Sequence, residues 1–262
     1  MLSLVTPAVI AYSSCQLSRS GLLMSQPKFD VIFASTKEHL HAVQALRYEV
    51  FVRELGGDGE MVDHDQGLEQ DRFDPFSRHM LLLDRTRGEH VKAQTVGAYR
   101  LLDQQGAEKA GGYYSAHEYE LSALTSSGRK LLELGRSCLR SEYRGGTAMF
   151  HLWSALATYI LSEDIEILFG VASFHGTDVQ ALAQPLALLH HRHLAPSALR
   201  PRSKPPSAKL DAIPLEDLDR KAAMLQIPAL IKAYLRLGGC VGEGAYLDHS
   251  FNTTDVCLVL DV

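Results

Sequence analysis

Apolar positions along the chain recur with two periods, about two in strands and about 3.6 in helices. The clearest unit is Leu131 to Ile160, LLELGRSCLRSEYRGGTAMFHLWSALATYI. It opens as an apolar strand, turns at Arg144-Gly145-Gly146-Thr147, and continues as an apolar helix from about Ala148 to Leu161. Ile165 to Ala172 is a further apolar run. Strand, helix and strand of these lengths form a right-handed crossover, so the two strands should be parallel. A strand that enters a helix through a glycine turn leaves N–H groups at the helix's positive end, a place that suits a phosphate or pyrophosphate.

Around this unit the pattern predicts a mixed α/β sheet in one domain. Phe29 to Ala34 reads as a first strand, and Ser35-x-x-Glu38 as a capping box. The helix behind it puts Leu40, Val43, Leu46, Val50 and Phe51 on one stripe, and Gly56-Gly57 ends it. Arg78 to Asp84 and Ala93 to Leu102 read as a hairpin about Arg87-Gly88. Gln104 to Ser115 reads as a loop, Val179 to Leu189 as a helix, and His190 to Lys209 as an irregular basic loop. A helix from about Leu215 to Leu237 should break or kink at Pro228, and the chain closes on an apolar strand within Asp255 to Val262. Residues 1–27 read as a poorly ordered extension with Met24 as an alternative start, leaving 28–262 as the folded domain.

Composition narrows the class. The 262 residues are 46% hydrophobic with a formal charge of −5, which fits a soluble globular protein and not a nucleic-acid binder. Cys15, Cys138, Cys240 and Cys257 are far apart and form no CxxC, so they read as reduced cytosolic thiols. No run approaches the roughly 20 apolar residues that span a bilayer. GxxxxGK[ST], GxSxG and HExxH are absent. His190, His191 and His193 have no second cluster at ligand spacing, so no metal is expected.

Charges inside apolar patterns mark the candidate chemistry. Glu133 and Arg136 lie in the Leu131 strand, where a charge is costly unless paired or used. Their parity differs, so a regular strand would point them to opposite faces. One site for both requires a bulged or splayed strand, with Gly135 the residue that permits it. Asp58 to Asp74 is an acidic loop without the glycine-then-glutamate spacing of an EF-hand. It is either a solvated loop or a mouth that attracts a cationic substrate. The basic residues of 190–209 serve solubility, or dock an acidic protein or an anionic membrane surface.

The segments LRYEVFVRELG (46–56), DRFDPFSRHMLLLD (71–84), VGAYRLL (96–102), LELGRSCLRSEYRGG (132–146), LFGVASFHGTD (168–178) and the stretch 227–262 occur in order. Together they resemble the Gcn5-related N-acetyltransferase (GNAT) superfamily, and within it the L-ornithine N-alpha-acyltransferases, which make lyso-ornithine lipid in bacteria. The same core resembles the acyl-homoserine-lactone synthases, whose arginine, acidic and phenylalanine positions fall on Arg47, Phe51, Asp71, Asp74, Arg100, Glu133 and Arg136. The superfamily's donor loop is usually [Q/R]-x-x-G-x-[G/A]. Here Tyr143 takes the first place, while Gly146 and Ala148 fit.

The resemblance implies a GNAT-like sheet flanked by helices and a 3-hydroxyacyl carrier protein as donor, its phosphopantetheine arm a co-substrate, with no separate cofactor. Arg140, Arg144, Gly145, Gly146 and Thr147 would form the donor loop. Arg140, Arg144, Arg192, Arg200 and Arg202 would meet the acidic carrier. Glu133 is the expected general base, with a structural ion pair to Arg100 or Arg136 as its alternative. Arg100 or Arg136 would take the α-carboxylate of ornithine. Asp71 and Asp74 would take its side-chain ammonium, with Asp178 and Asp255 in reserve. The expected location is cytoplasmic, with peripheral contact at the inner membrane. An acyl-homoserine-lactone synthase or another N-acyl amino acid synthase is the alternative activity.

Overall fold

The computed structural model describes residues 28–262. The expected extension over 1–27, with Met24 and Cys15, lies outside them. Along the chain come β1 (Phe29–Phe33), α1 (Lys37–Arg47), β2 (Arg78–Asp84), β3 (Thr95–Asp103), α2 (Gln104–Ala110), β4 (Leu131–Leu139), α3 (Ala148–Ser162), β5 (Ile167–His175), α4 (Ala183–His193), α5 (Arg220–Gln226), α6 (Ala229–Arg236), β6 (Ala245–Asp248) and β7 (Thr253–Asp261). The strands form one mixed sheet in the order β1-β2-β3-β4-β5-β7-β6, with Ser207–Ala208 beyond β6. Neighbours are antiparallel except β4 and β5, which are parallel as the crossover pattern requires.

Alternation along the strands gives the sheet two unlike faces. On one, Leu132, Leu134, Leu168 and Leu258 pack against Leu152, Leu186, Ile231 and Tyr234 of the covering helices. The other face is covered in two parts: α1 packs Val43 and Leu46 on Leu81, Leu83 and Ala98, while Tyr113 and Tyr119 pack with Phe169 and Val259. No helix among the described residues is long and apolar enough to cross a membrane.

Several boundaries differ from the sequence pattern. The cap of α1 is Thr36, whose side chain accepts the His39 N–H; Ser35 instead contacts the His39 ring. After Arg47 the helix widens into a π-helical segment, Tyr48–Glu54. Gln104 to Ser115 is not a loop throughout. The Asp103 carboxylate accepts the Gly106 N–H and starts α2, which buries Ala107 and Ala110. The expected helix at Val179 begins only at Ala183, because Asp178 caps a separate turn through the N–H groups of Gln180 and Ala181. The basic stretch after His193 is partly paired: Arg202–Ser203 joins Tyr119–Glu120. Pro228 divides α5 from α6, as expected of a residue with no N–H to donate.

β4 departs from regularity at the expected place, by a slightly different device. Gly135 pairs with Arg100 and Cys138 with Ala98, so Arg136 and Ser137 together face Tyr99. The bulge is carried by Arg136, at φ 50, one residue after the glycine. A side chain in that left-handed region is strained and must be held there. On its other edge β4 pairs with β5 only from Leu131↔Ile167 to Glu133↔Phe169. Beyond that point the two strands part like the arms of a fork.

Gly170 sits at this fork. An added Cβ would lie 2.1 Å from the Leu134 carbonyl oxygen. Gly170→Ala should therefore cost about 3 kcal/mol, since the clash is with backbone and not with a side chain that can swing away. Thermal or urea unfolding reads this directly. A variant as stable as the parent would mean that the strands can spread at no cost.

Candidate active site

Where β4 and β5 part, a cavity of about 460 Å³ opens. Its lining comes from both faces of the sheet. Tyr99, Leu134, Leu168, Tyr234 and Leu258 supply an apolar side; Glu118, Glu133, Arg136, Asp248 and Asp255 supply a charged one. Phe51 of the π-helical segment and Leu55 just after it complete the wall with Phe251. The bulge thus brings Glu133 and Arg136 to one cavity despite their parity.

Six charges form a closed ring behind this wall. Arg47 binds Glu69; Glu69 binds Arg136 at 3.1 Å; Arg136 binds Asp71 at 2.9 Å. Asp71 binds Arg100 at 2.5 Å, Arg100 binds Asp74 at 3.2 Å, and Asp74 returns to Arg47 at 2.7 Å. Each arginine touches two acids and each acid two arginines. Burial raises the pKa of each carboxylate, but the facing guanidinium groups outweigh it and hold Glu69, Asp71 and Asp74 below the usual carboxylate range. Tyr114 lies under the ring, its centroid 4.7 Å from the Arg136 guanidinium and 5.3 Å from that of Arg100. The strained Arg136 backbone is held by these two ion pairs and this stacking.

The ring locates five of the residues singled out in the sequence. Arg47 is wholly buried, Arg100 and Asp74 nearly so. Asp71 and Asp74, assigned above to an ammonium, each already face two arginines. Of the three arginines, Arg136 is the most exposed side chain, at 15%. Glu69, the ring's third acid, was only one of many acids in the 58–74 sequence, and nothing local set it apart.

Glu133 is not in the ring. Its two carboxylate oxygens accept the N–H groups of Tyr114 at 2.8 Å and Ser115 at 2.6 Å. Neither arginine of the alternative pairing binds it. Burial pushes its pKa up, with the Ser115 and Tyr114 hydrogen bonds opposing. It is therefore a poised carboxylate that lines the cavity without a counter-ion in contact.

A second group of acids shares the wall. Carboxylate oxygens of Glu118, Asp248 and Asp255 lie within 4.8 Å of one another, a spacing that could hold a cation. Glu118 and Asp255 are each only 4% exposed, yet Glu118 Oε2 and Asp255 Oδ1 have no hydrogen-bond partner. Asp255 was held in reserve by its strand-end position; Glu118 and Asp248 were missed. No periodicity marks them, because a long-range pairing, that of Tyr119–Glu120 with Arg202–Ser203, sets the place of Glu118. Asp178 is exposed and does not line the cavity.

The donor-loop residues form an exposed turn into α3. Gly145 has φ 75, and Gly145, Gly146 and Thr147 are all exposed before the helix's first turn. The first N–H groups of a helix have no intrahelical acceptor, so this end can meet an anion. Tyr143, where the superfamily pattern has Gln or Arg, donates its hydroxyl to Asp84 at 2.7 Å and anchors the turn to β2. Arg140 and Arg144 flank it, paired with Glu49 and Glu54. Arg200 and Arg202 face Glu243, away from the turn's partners, and Arg192 is exposed on α4. Cys138 is buried and its thiol is pushed up to about 12 by burial, which makes it a core residue and not a nucleophile.

Residues 46–154 match the Acetyltransferase (GNAT) domain. An L-ornithine N(alpha)-acyltransferase of Rhodobacter capsulatus is 54% identical over 233 residues, covering 89% of this chain and 90% of that one. The L-ornithine N(alpha)-acyltransferase of Brucella abortus is 38% identical, covering 89% and 84%. Among solved structures, a CoA-dependent acyl-homoserine lactone synthase with MTA matches with TM-score 0.48 and 14% identity over 86% of this chain and 77% of that one. On the identity and coverage of the curated relatives, the chain belongs to the L-ornithine N(alpha)-acyltransferases, N-acyltransferases of the GNAT type.

Proposed function

We propose that this protein transfers a 3-hydroxyacyl chain from an acyl carrier protein to the α-amine of L-ornithine, giving lyso-ornithine lipid. The observation that carries this reading is the forked β4–β5 pair, which joins an apolar chamber on one face of the sheet to a charged chamber on the other. An acyl thioester fits with its chain among Leu134, Leu168, Tyr234 and Leu258 and its carbonyl in the gap. A cationic amino acid fits on the opposite side.

The chemistry follows from which groups line that side. The α-amine attacks the thioester carbonyl, and a C–N bond forms. Glu133 takes the amine proton, directly or through water, and the C–S bond then breaks with the thiolate leaving on the pantetheine arm. N–H groups freed where β4 and β5 stop pairing are available to the oxyanion. Arg136, the least buried guanidinium of the ring, takes the α-carboxylate. The ring itself holds the bulge and keeps Arg136 and Arg100 in place.

The exposed turn at Gly145 to Thr147 is the place for the phosphate of the pantetheine arm, with Arg140 and Arg144 beside it for the acidic carrier. Reaction in the cytoplasm with peripheral contact at the inner membrane suits an amphiphilic product, and the largely exposed Phe150 on α3 supports such contact.

Expression in a bacterium that lacks ornithine lipids, followed by lipid mass spectrometry, tests the activity. Lyso-ornithine lipid is expected. With purified protein, 3-hydroxyacyl carrier protein and ornithine should give product, whereas S-adenosylmethionine should give no acyl-homoserine lactone; the reverse result would overturn the acceptor. The apparent affinity for the carrier should weaken as salt rises, because exposed charges are screened over about 8–10 Å at 0.1–0.15 M. Equal turnover of acyl-coenzyme A, with no salt effect, would remove the carrier protein from this reading.

A further inference from the structure

The charged chamber has a part that the reaction just described does not use. We propose that Glu118, Asp248 and Asp255 form the subsite that reads the side-chain ammonium of the acceptor, and so select a cationic amino acid over a neutral one. The inference rests on the proposed acyl transfer to ornithine and assigns the group that recognises the distal end of that substrate.

Buried carboxylate oxygens need partners. Glu118 Oε2 and Asp255 Oδ1 have none. No ion pair among the described residues includes Glu118, Asp248 or Asp255. The neighbouring cations are engaged elsewhere: Arg136 with Glu69 and Asp71, Arg202 with Glu243, and the Lys204 ammonium with the Ala116 carbonyl. Burial, with the negative charge of its two neighbours, pushes Glu118 well above the carboxylate range, and burial raises Asp255 as well. The free cluster therefore holds a proton on Glu118, and an entering cation can take the place of that proton on the wall of the cavity that also holds Glu133 and Arg136.

The geometry favours an ammonium over a metal. A primary ammonium offers three N–H donors on one small atom, and the cluster offers one oxygen from each of three side chains within 4.8 Å. Calcium takes about six to eight oxygens, and magnesium a near-ideal octahedron. Asp248 has already committed Oδ1 to the N–H groups of Ser250 and Phe251, at 2.8 and 3.1 Å. An amino acid with its carboxylate at Arg136 and its α-amine at Glu133 can extend its side chain along this wall. Asp71 and Asp74 are spared for the ring.

Glu118→Gln and Asp255→Asn test the assignment, because both keep shape and remove the ability to ionise against a cation. The ratio of kcat/KM for ornithine to that for norvaline, which lacks only the distal amine, should fall about 100-fold or more in each variant. Free Glu118→Gln should keep the Tm of the parent at neutral pH, since burial already holds that carboxyl protonated and the amide replaces it at equal charge; a purely structural role predicts a fall. Catalysis-independent binding separates this subsite from the acyl-transfer reading. n-Butylammonium chloride, with neither carboxylate nor α-amine, should raise the Tm of the parent in a saturable way and not that of Glu118→Gln. If that shift is seen while ornithine is not acylated, the subsite stands and the reaction assigned to it falls. An unchanged ornithine-to-norvaline ratio, or a Tm that responds to magnesium or calcium but not to n-butylammonium, overturns the proposal.

Discussion

Arg47→Leu should destabilise the protein by about 3–5 kcal/mol at neutral pH, the range for removing one partner from a buried ionic cluster. Arg47 is fully buried between Glu69 and Asp74. Without it Glu69 keeps only Arg136 as a counter-ion and Asp74 only Arg100, and the loop that carries both acids stays tied to α1 only through Gln44, whose amide donates to Asp74 and whose carbonyl accepts the Glu69 N–H. Lysine should not rescue, because one ammonium cannot reach both acids as a planar fork does. The pH dependence separates this cause from simple loss of volume. In the parent, Glu69, Asp71 and Asp74 titrate below their ordinary range. Their contribution is therefore complete above an unfolded pKa of about 4 and fades only as pH falls through the lower folded values. In the variant the orphaned acids titrate higher, so part of the deficit should vanish between pH 7 and pH 5 as they take up protons. Urea unfolding at the two pH values measures this. A deficit that is the same at both, or no larger than that of Arg129→Leu at the surface, would remove the ring from the stability of the fold.

Glu133→Gln should lower kcat about 10²- to 10⁴-fold, the usual worth of a general base. The same change has a structural cost. Both oxygens of Glu133 accept backbone N–H groups, and an amide has one acceptor oxygen, so one N–H of Tyr114 or Ser115 loses its partner at about 1–3 kcal/mol. Stability loss alone cannot explain a lower kcat in protein that remains folded at the assay temperature. The pH profile decides between the roles. The parent's activity should rise through the elevated pKa of Glu133 and level off. The variant should lack that limb and gain activity only at higher pH, where ornithine's own amine deprotonates. Parallel profiles for parent and variant would leave Glu133 as a clamp on the Tyr114 turn and no more.

The parts of the fold that could be read from the sequence were those governed by local rules. β4, α3 and β5 follow from an apolar run, a glycine turn and a second apolar run, and Pro228 divides its helix because proline must. The disagreement in parity between Glu133 and Arg136 even required the bulge, though not that a strained arginine would carry it. What escaped depends on contacts distant in sequence. Six charges close into a ring only after α1, the 69–74 loop, β3 and β4 have met, so Glu69 looked like its solvated neighbours. Glu118 and Asp248 reach Asp255 through edge pairings that leave no period. The helix over Gln104–Ala110 was missed for another reason: at seven residues it is too short to show a stripe, and its cap, Asp103, belongs to the preceding strand.

The fork between β4 and β5 also sets a direction of travel. It is shut at Glu133↔Phe169 and widens toward the far ends of both strands. In the proposed reaction the product threads the sheet like a rivet, a zwitterionic head on one side and a hydrocarbon tail on the other. Neither end can be drawn back through the gap without dragging a charge through the apolar chamber or a chain through the charged one. The shank has to slide along the gap and leave by the open end. An enzyme built this way hands over its amphiphile sideways, head and tail already apart, in the orientation a bilayer leaflet would receive.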